Sequence, residues 1–300
     1  MSKADLVLLL VCAIWGTTFA LLRDSLRSIH PAELMALRFT IATIILLAAF
    51  PRRVFPLRKA ALQSGSWIGV FLATGYLTQI IGLATITASR SAFLTCTYIL
   101  FTPFLAIPVA GEVPRLGELL GVALGFAGLT LFSADAGFSL RAGDLWTLAC
   151  AASFGIQIVL TNVAGKKVDP VALSVVQMAV GAIAGWTIVL ARGGFHTPWS
   201  QVPWGTLIYL AVVATAVVIA LQAWALARTS PVRASMIFAT EPIFAALFAV
   251  AFFGEGMSTR EVLGAAVILL GVAVTILWKP WMERREARRA SRVAVSRGSR

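Results

Sequence analysis

The stretch from Gln79 to Phe132 occurs twice in this chain of 300 residues. Moved forward by 143 positions, Gln79 falls on Gln222, Arg90 on Arg233, and Gly111-Glu112 on Gly254-Glu255. Glu118, Leu120, Gly121, Ala123 and Gly128 then fall, without a gap, on Glu261, Leu263, Gly264, Ala266 and Gly271. The N-terminal part repeats at a spacing of 139: Asp5-Leu6 falls on Asp144-Leu145, Gly16 on Gly155, Pro31 on Pro170 and Leu34 on Leu173. Four extra residues before Gln222 reconcile the two spacings, and the loop at 192–203 has room for them. Residues 1–140 and 141–280 therefore read as two copies of one unit, with 281–300 as a tail. The period is too long for a solenoid, whose repeats run to about 50 residues.

Composition places both copies in a bilayer. The chain is 59% hydrophobic and 13% charged, with a mean hydropathy of +0.88, whereas soluble domains carry about 25% charged residues. A membrane-crossing helix needs about 20 mostly apolar residues. Ten stretches qualify: 5–24, 32–50, 66–86, 91–110, 116–134, 144–164, 171–191, 204–226, 232–253 and 261–279. Breakers separate them at Pro31, Pro51 with Pro56, Pro114, Gly137 with Gly143, Pro170, Pro198 with Pro203, Pro231, and Gly254 with Gly256. Only Arg90 marks the break between Ala88 and Ser91, but Pro231 and Arg233 mark its counterpart in the second copy. The apolar run after Lys3 has no convincing small-residue cleavage site, so it is read as a retained helix.

The basic residues orient the chain. With the N-terminus in the cytoplasm, 18 Lys and Arg residues lie inside and 6 outside, and without the tail the bias is still 10 to 6. Both termini are then cytoplasmic. Five spans per copy is an odd number, so the copies sit in opposite orientations. The expected fold is all-α integral membrane, ten transmembrane helices as two inverted five-helix repeats around a central cavity. The net charge of +12 does not point to nucleic acid, because much of it lies in the tail, with Arg284, Arg285, Arg288, Arg289 and Arg292 near the membrane. That tail reads as a topology anchor that frays, with anionic lipid headgroups as its partner at roughly 1 kcal/mol per basic residue. Trp67, Trp199, Trp204, Trp278 and Trp281 at span ends fit an interfacial belt. Cys12, Cys96 and Cys150 lie in apolar runs with no metal-ligand spacing, which reads as buried packing.

Polar side chains within spans are few, and the repeat pairs them. Thr18 falls on Gln157 and Arg38 on Gln177; Gln79 falls on Gln222 and Tyr98 on Glu241. Inverted repeats bring matched positions together near the pseudo-two-fold axis, where secondary transporters bind substrate. Ser153, Gln157 and Thr161 share one helical stripe, as do Trp15 with Thr18 and Tyr76 with Gln79. The set reads as a polar cavity, although any one of these Gln or Thr residues could serve as interhelical glue. Glu241 and Arg38 are the ionisable side chains within spans, and Pro242 predicts a kink beside the carboxylate. They are candidates for gating or proton coupling, or for a purely structural pair. Gly121, Gly125, Gly128, Gly264 and Gly271 read as close helix packing.

Catalytic constellations are missing from the sequence. His30 and His196 lie in loops, and there is no Walker loop, HExxH, paired-Cys motif or GxSxG. No metal and no cofactor is expected. A membrane enzyme, a channel-like facilitator and a non-transporting scaffold are the rival readings; the scaffold would have no use for paired intramembrane polar groups.

Order and spacing of several short motifs resemble the EamA family of the drug/metabolite transporter superfamily over about residues 1–280. They are Trp15-Gly16-Thr17-Thr18-Phe19, Leu37-Arg38-Phe39, Gly111-Glu112 with Gly121 and Gly128, Glu241-Pro242, and Gly254-Glu255 with Gly264 and Gly271. The first half departs from the second in having Tyr98-Ile99 opposite Glu241-Pro242. The resemblance implies secondary transport or facilitated export of small metabolites from a bacterial inner membrane, with ten helices around a central cavity. Within the family the chain looks most like amino-acid exporters, including those for aromatic and neutral amino acids; purines and cationic drugs are the alternative cargo. The expected cavity residues are Trp15, Thr18, Tyr76, Gln79, Tyr98, Gln157, Gln177, Gln222 and Trp224, with Arg38, Glu241 and Pro242 as gating or coupling residues.

Overall fold

A computed structural model describes residues 1–132, 141–253 and 257–298; the side chains of 88–89, 252–253 and 279–298 are left out. The Gly254-Glu255 motif, Gly256, the Gly137 breaker and the side chains of Trp281 and the basic tail thus lie outside the described residues. The described chain is helical, in the order α1 (Lys3–Gly16), α2 (Thr18–Ser25), α3 (Pro31–Ala49), α4 (Pro51–Val54), α5 (Lys59–Leu83), α6 (Ala88–Cys96), α7 (Tyr98–Ala110) and α8 (Leu116–Phe132). The second half follows with α9 (Ala142–Gly165), α10 (Pro170–Ala191), α11 (Trp204–Ala211), α12 (Val218–Leu226), α13 (Pro231–Phe238), α14 (Glu241–Phe253) and α15 (Thr259–Gly298). Among the described residues, 9 spans are long and apolar enough to cross a membrane, and the shorter apolar α8 supplies the tenth. The turn that Arg90 marked in the sequence lies slightly earlier, at 84–87, where the Thr87 hydroxyl caps α6 by accepting the Arg90 N–H at 3.3 Å. α15 runs on to Gly298 where the sequence suggested fraying, because Arg, Glu and Ala in the tail are good helix formers.

Several spans are interrupted inside the bundle. The fourth breaks at Thr97, between α6 and α7, and the ninth breaks at 239–240, between α13 and α14. Thr97 and Thr240 are matched positions at the 143 spacing, and they use the same device. Thr97 donates to Leu94 O at 2.6 Å and Thr240 to Ile237 O at 2.7 Å, each satisfying a carbonyl three residues back. The kink expected at Pro242 is therefore a break just before Glu241. Pro242 falls in the first turn of α14, where the missing N–H costs nothing. Thiols take carbonyls near the break: Cys12 Sγ lies 3.4 Å from Ile237 O and Cys96 Sγ 4.0 Å from Phe238 O. In the eighth span, one π-helical segment, Val212–Val217, separates α11 from α12.

The two halves interlock. α5 packs against α9 and α10, α10 against α3, and α1 against α12, α13 and α14. α8 and α15 make a reciprocal contact. A Cβ on Gly121 would meet Gly271 O at 2.8 Å, and one on Gly128 would meet Gly264 O at 2.9 Å. Shifting either pair by 143 generates the other, as a two-fold axis in the membrane plane requires for an inverted repeat. Backbone lies against backbone here, so neither helix can yield to a side chain. We expect Gly128→Leu to separate α8 from α15 and destabilise the protein by about 1–3 kcal/mol, read as a lowered midpoint of thermal unfolding in detergent; an unchanged midpoint would show that the contact is not tight.

Candidate functional site

The breaks at Thr97 and 239–240 lie against one another, with Cys96 Sγ 4.0 Å from Phe238 O, and the residues flanking them, Tyr98, Phe238 and Glu241, border a cavity within the bundle. Trp15, Thr18, Arg38, Tyr76, Gln79, Tyr98, Gln157, Gln222 and Glu241 line it, together with Leu72, Thr95, Phe154, Ile158 and Phe238. The cavity volume is about 40 Å³. A water molecule needs about 10–15 Å³ on this measure, so the space holds a few waters and is contracted. Its walls are aromatic. Phe238 packs against Trp15 at 5.7 Å and edge-on to Tyr98 at 6.5 Å, while Tyr76 meets Phe154 edge-on at 5.5 Å.

The π-helical segment organises one side. Widening the helix presents Ala214 O, which accepts from Trp15 Nε1 at 3.1 Å and from Arg38 Nη2 at 3.3 Å. Arg38 Nε donates to Thr215 Oγ1 at 2.6 Å, and the Thr215 hydroxyl in turn donates to Leu210 O at 2.7 Å. The guanidinium also sits 4.8 Å over the Tyr76 ring, a cation–π contact in a desolvated site. Arg38 Nη1 is buried with no partner. The structural pairing of Arg38 with Glu241 is not formed, because Arg38 is held by the eighth span instead. Among the described residues, Glu241 has neither a hydrogen-bond donor nor a cation on its carboxylate; it is 5% exposed.

Glutamines furnish the rest. Gln79 Nε2 donates to Thr95 Oγ1 at 3.3 Å and Gln157 Nε2 donates to Gln177 Oε1 at 3.2 Å. Gln222 Oε1 and Gln177 Nε2 are buried without partners. Two residues expected on the wall, Gln177 and Trp224, are not there. Gln177 lies behind Gln157, as its hydrogen-bond partner. Trp224 comes two residues after Gln222, so about 200° of helical rotation turns it away, and it stacks under Arg228 at 4.4 Å. Pro242 shapes the start of α14 without reaching the cavity. Sequence reasoning missed Thr95, Phe154 and Phe238, although Thr95 and Phe238 lie within a few residues of the two breaks and Phe154 follows Ser153 in the recognised stripe.

Sequence reasoning also saw Asp5 repeat as Asp144 and Arg90 repeat as Arg233, without seeing that they pair across the halves. Arg233 Nε and Nη2 reach Asp5 at 3.0 and 2.6 Å, and Arg90 Nε and Nη2 reach Asp144 at 2.6 and 2.7 Å.

The chain is similar to known proteins along most of its length. The model of the EamA-like transporter family matches twice, at residues 2–134 and 141–277. An "Uncharacterized transporter" of Archaeoglobus fulgidus is 31% identical over 275 residues, covering 91% of this chain and 86% of that protein. The "Uncharacterized inner membrane transporter YedA" of Escherichia coli is 26% identical, covering 89% of this chain and 88% of its own. A solved crystal structure, 20% identical, superposes with a TM-score of 0.77 over 94% of this chain and 99% of that one, a likeness of fold. With both halves matched to one family model and the ten-helix fold in place, the chain belongs to the EamA-like transporter family and is a multi-pass membrane transporter of that type.

Proposed function

We propose that the protein is an inner-membrane carrier, with both termini in the cytoplasm, that exports small metabolites by alternating access, neutral or aromatic amino acids foremost. The observation that carries this reading is the set of unpaired polar atoms in an aromatic-walled cavity. Buried donors and acceptors are costly when unsatisfied, and here they are of complementary kinds. Arg38 Nη1 offers a donor to a carboxylate, and Gln222 Oε1 offers an acceptor to an ammonium group. Trp15, Tyr98, Phe154 and Phe238 provide a surface for an apolar or aromatic side chain. Glu241, at the N-terminus of α14 beside the break, is the group we assign to proton coupling. The interlocking of the halves supports moving bodies that mix helices from both repeats, rather than one repeat rocking as a unit on the other.

A second reading has its own observation: a lone carboxylate among aromatic rings suits an organic cation, with Arg38 remaining tied to the π-helical segment. Counterflow in proteoliposomes separates the two. Vesicles are loaded with unlabelled amino acids, purines and cationic drugs, and labelled compounds are offered outside one at a time. An overshoot for phenylalanine, methionine or threonine is expected. An overshoot for a cationic drug alone would replace the amino-acid reading, and none from folded protein would overturn both.

Gln222→Ala is expected to raise the half-saturating concentration about tenfold or more, since it removes an acceptor for a charged group. Unchanged transport kinetics would remove Gln222 from the site. Glu241→Gln is expected to retain counterflow while losing any acceleration by an imposed proton gradient; retained acceleration would assign coupling elsewhere.

A further inference from the structure

The two ion pairs outside the cavity occupy corresponding places at opposite ends of the bundle. In each, the guanidinium grips the carboxylate through Nε and Nη2. Asp5 and Asp144 are 0% and 1% exposed in their side chains, whereas Arg233 and Arg90 are 25% and 22% exposed. Each carboxylate also accepts a backbone N–H at its helix start, Ser2 N for Asp5 at 2.6 Å and Arg141 N for Asp144 at 2.8 Å. In each pair the aspartate comes from one half and the arginine from the other. Arg233 and Arg90 sit on short half-helices, α13 and α6, whose inner ends are the breaks at 239–240 and Thr97.

Beneath each pair runs a seam between two helices that start at the same surface and descend side by side. From Asp5, α1 reaches Cys12 in about 10 Å, where the thiol meets Ile237 O of α13, and then Trp15 on the cavity wall. From Asp144, α9 reaches Cys150 in about 9 Å, where the thiol lies against the hydroxyl of Thr95 on α6, and then Phe154 and Gln157 on the opposite wall. At the Asp5 end the seam opens into a polar basin of about 730 Å³, to which Ser2 and Arg233 both contribute. Since the central cavity is contracted, cargo enters only if helices part.

We propose that Asp5–Arg233 and Asp144–Arg90 are the two latches of the carrier, each closing one of these seams, with the half-helices α13 and α6 swinging about the threonine breaks when their latch releases. The Asp5 latch admits cargo from the basin, and the Asp144 latch opens to the other face. This rests on the alternating-access reading above.

The native cysteines report each seam without any substrate, because Cys12, Cys96 and Cys150 are all free and buried. The full chain in detergent is treated with a water-soluble maleimide, and modification of each cysteine is followed by peptide mass spectrometry. Asp5→Asn is expected to speed modification of Cys12 by at least about tenfold, as befits losing one partner of a buried pair, while Cys150 keeps its wild-type rate. Asp144→Asn is expected to do the reverse. The double variant Asp5→Arg with Arg233→Asp restores the pair in opposite sense and returns Cys12 to its slow rate. Failure of the matching thiol to accelerate, equal acceleration of all three thiols, or a charge-swapped protein that stays fast would each overturn the proposal. Equal acceleration would make the pairs staples of the whole fold. Because the readout involves no cargo, it stands apart from the counterflow result that tests the amino-acid reading.

Discussion

Hydrocarbon offers no hydrogen bonds, so a helix can be interrupted within a membrane only where the chain itself satisfies the freed groups. This protein interrupts its helices beside its central cavity, and the interruptions are provided for. Thr97 and Thr240 each return a hydroxyl to the carbonyl three residues back. Cys12 and Cys96 direct their thiols at Ile237 O and Phe238 O. The π-helical segment hands Ala214 O to Trp15 and Arg38 together. Against that background of satisfied groups, the atoms left over at the cavity carry meaning: Arg38 Nη1 and Gln222 Oε1.

Arg38 illustrates how charge is held in such a place. A guanidinium deep in a bilayer is among the costliest groups to bury. Two hydrogen bonds to the eighth span and a tyrosine face offset part of that cost, leaving the Nη1 amino group unengaged. Glu241 does not neutralise it. Both groups instead line the same cavity, where the proposed zwitterionic cargo would meet them.

Much of the fold could be read from the sequence because the two largest determinants, apolar length and internal repetition, are one-dimensional. Ten apolar runs became ten spans, and Gly121 and Gly128 with Gly264 and Gly271 became a reciprocal helix contact. Most of the cavity was legible for the same reason, since a polar residue in an apolar run has few places to go. Trp224, expected as a stacking wall, is off the cavity because two residues beyond Gln222 the helix has turned it to another face. The break at Thr97 left no Gly signal, and the prolines of α7, Pro103 and Pro108, lie further along. The cross-half ion pairs were half visible: repetition showed that Asp5 and Arg90 each recur, but partnership depends on how the halves interlock.

The repeat also separates mechanics from chemistry. Where the halves carry the same residue, the pair mostly frames the structure: Asp5 and Asp144, Arg90 and Arg233, Thr97 and Thr240, and the glycines of α8 and α15. The matched intramembrane polar positions that differ lie in or beside the cavity: Thr18 against Gln157, Arg38 against Gln177, Tyr98 against Glu241. Gln79 and Gln222 are the shared pair that does reach the cavity, yet their environments differ, since Gln79 is bonded to Thr95 while Gln222 retains a free acceptor. On the alternating-access reading proposed above, a symmetrical frame would let the same motion occur toward either face of the membrane. Substituting one copy and not the other puts a cation and a carboxylate into a cavity that duplication alone would have made alike on both sides. On the proposed reading, divergence in that lining, rather than in the frame, is what would let the protein distinguish one end of its cargo from the other.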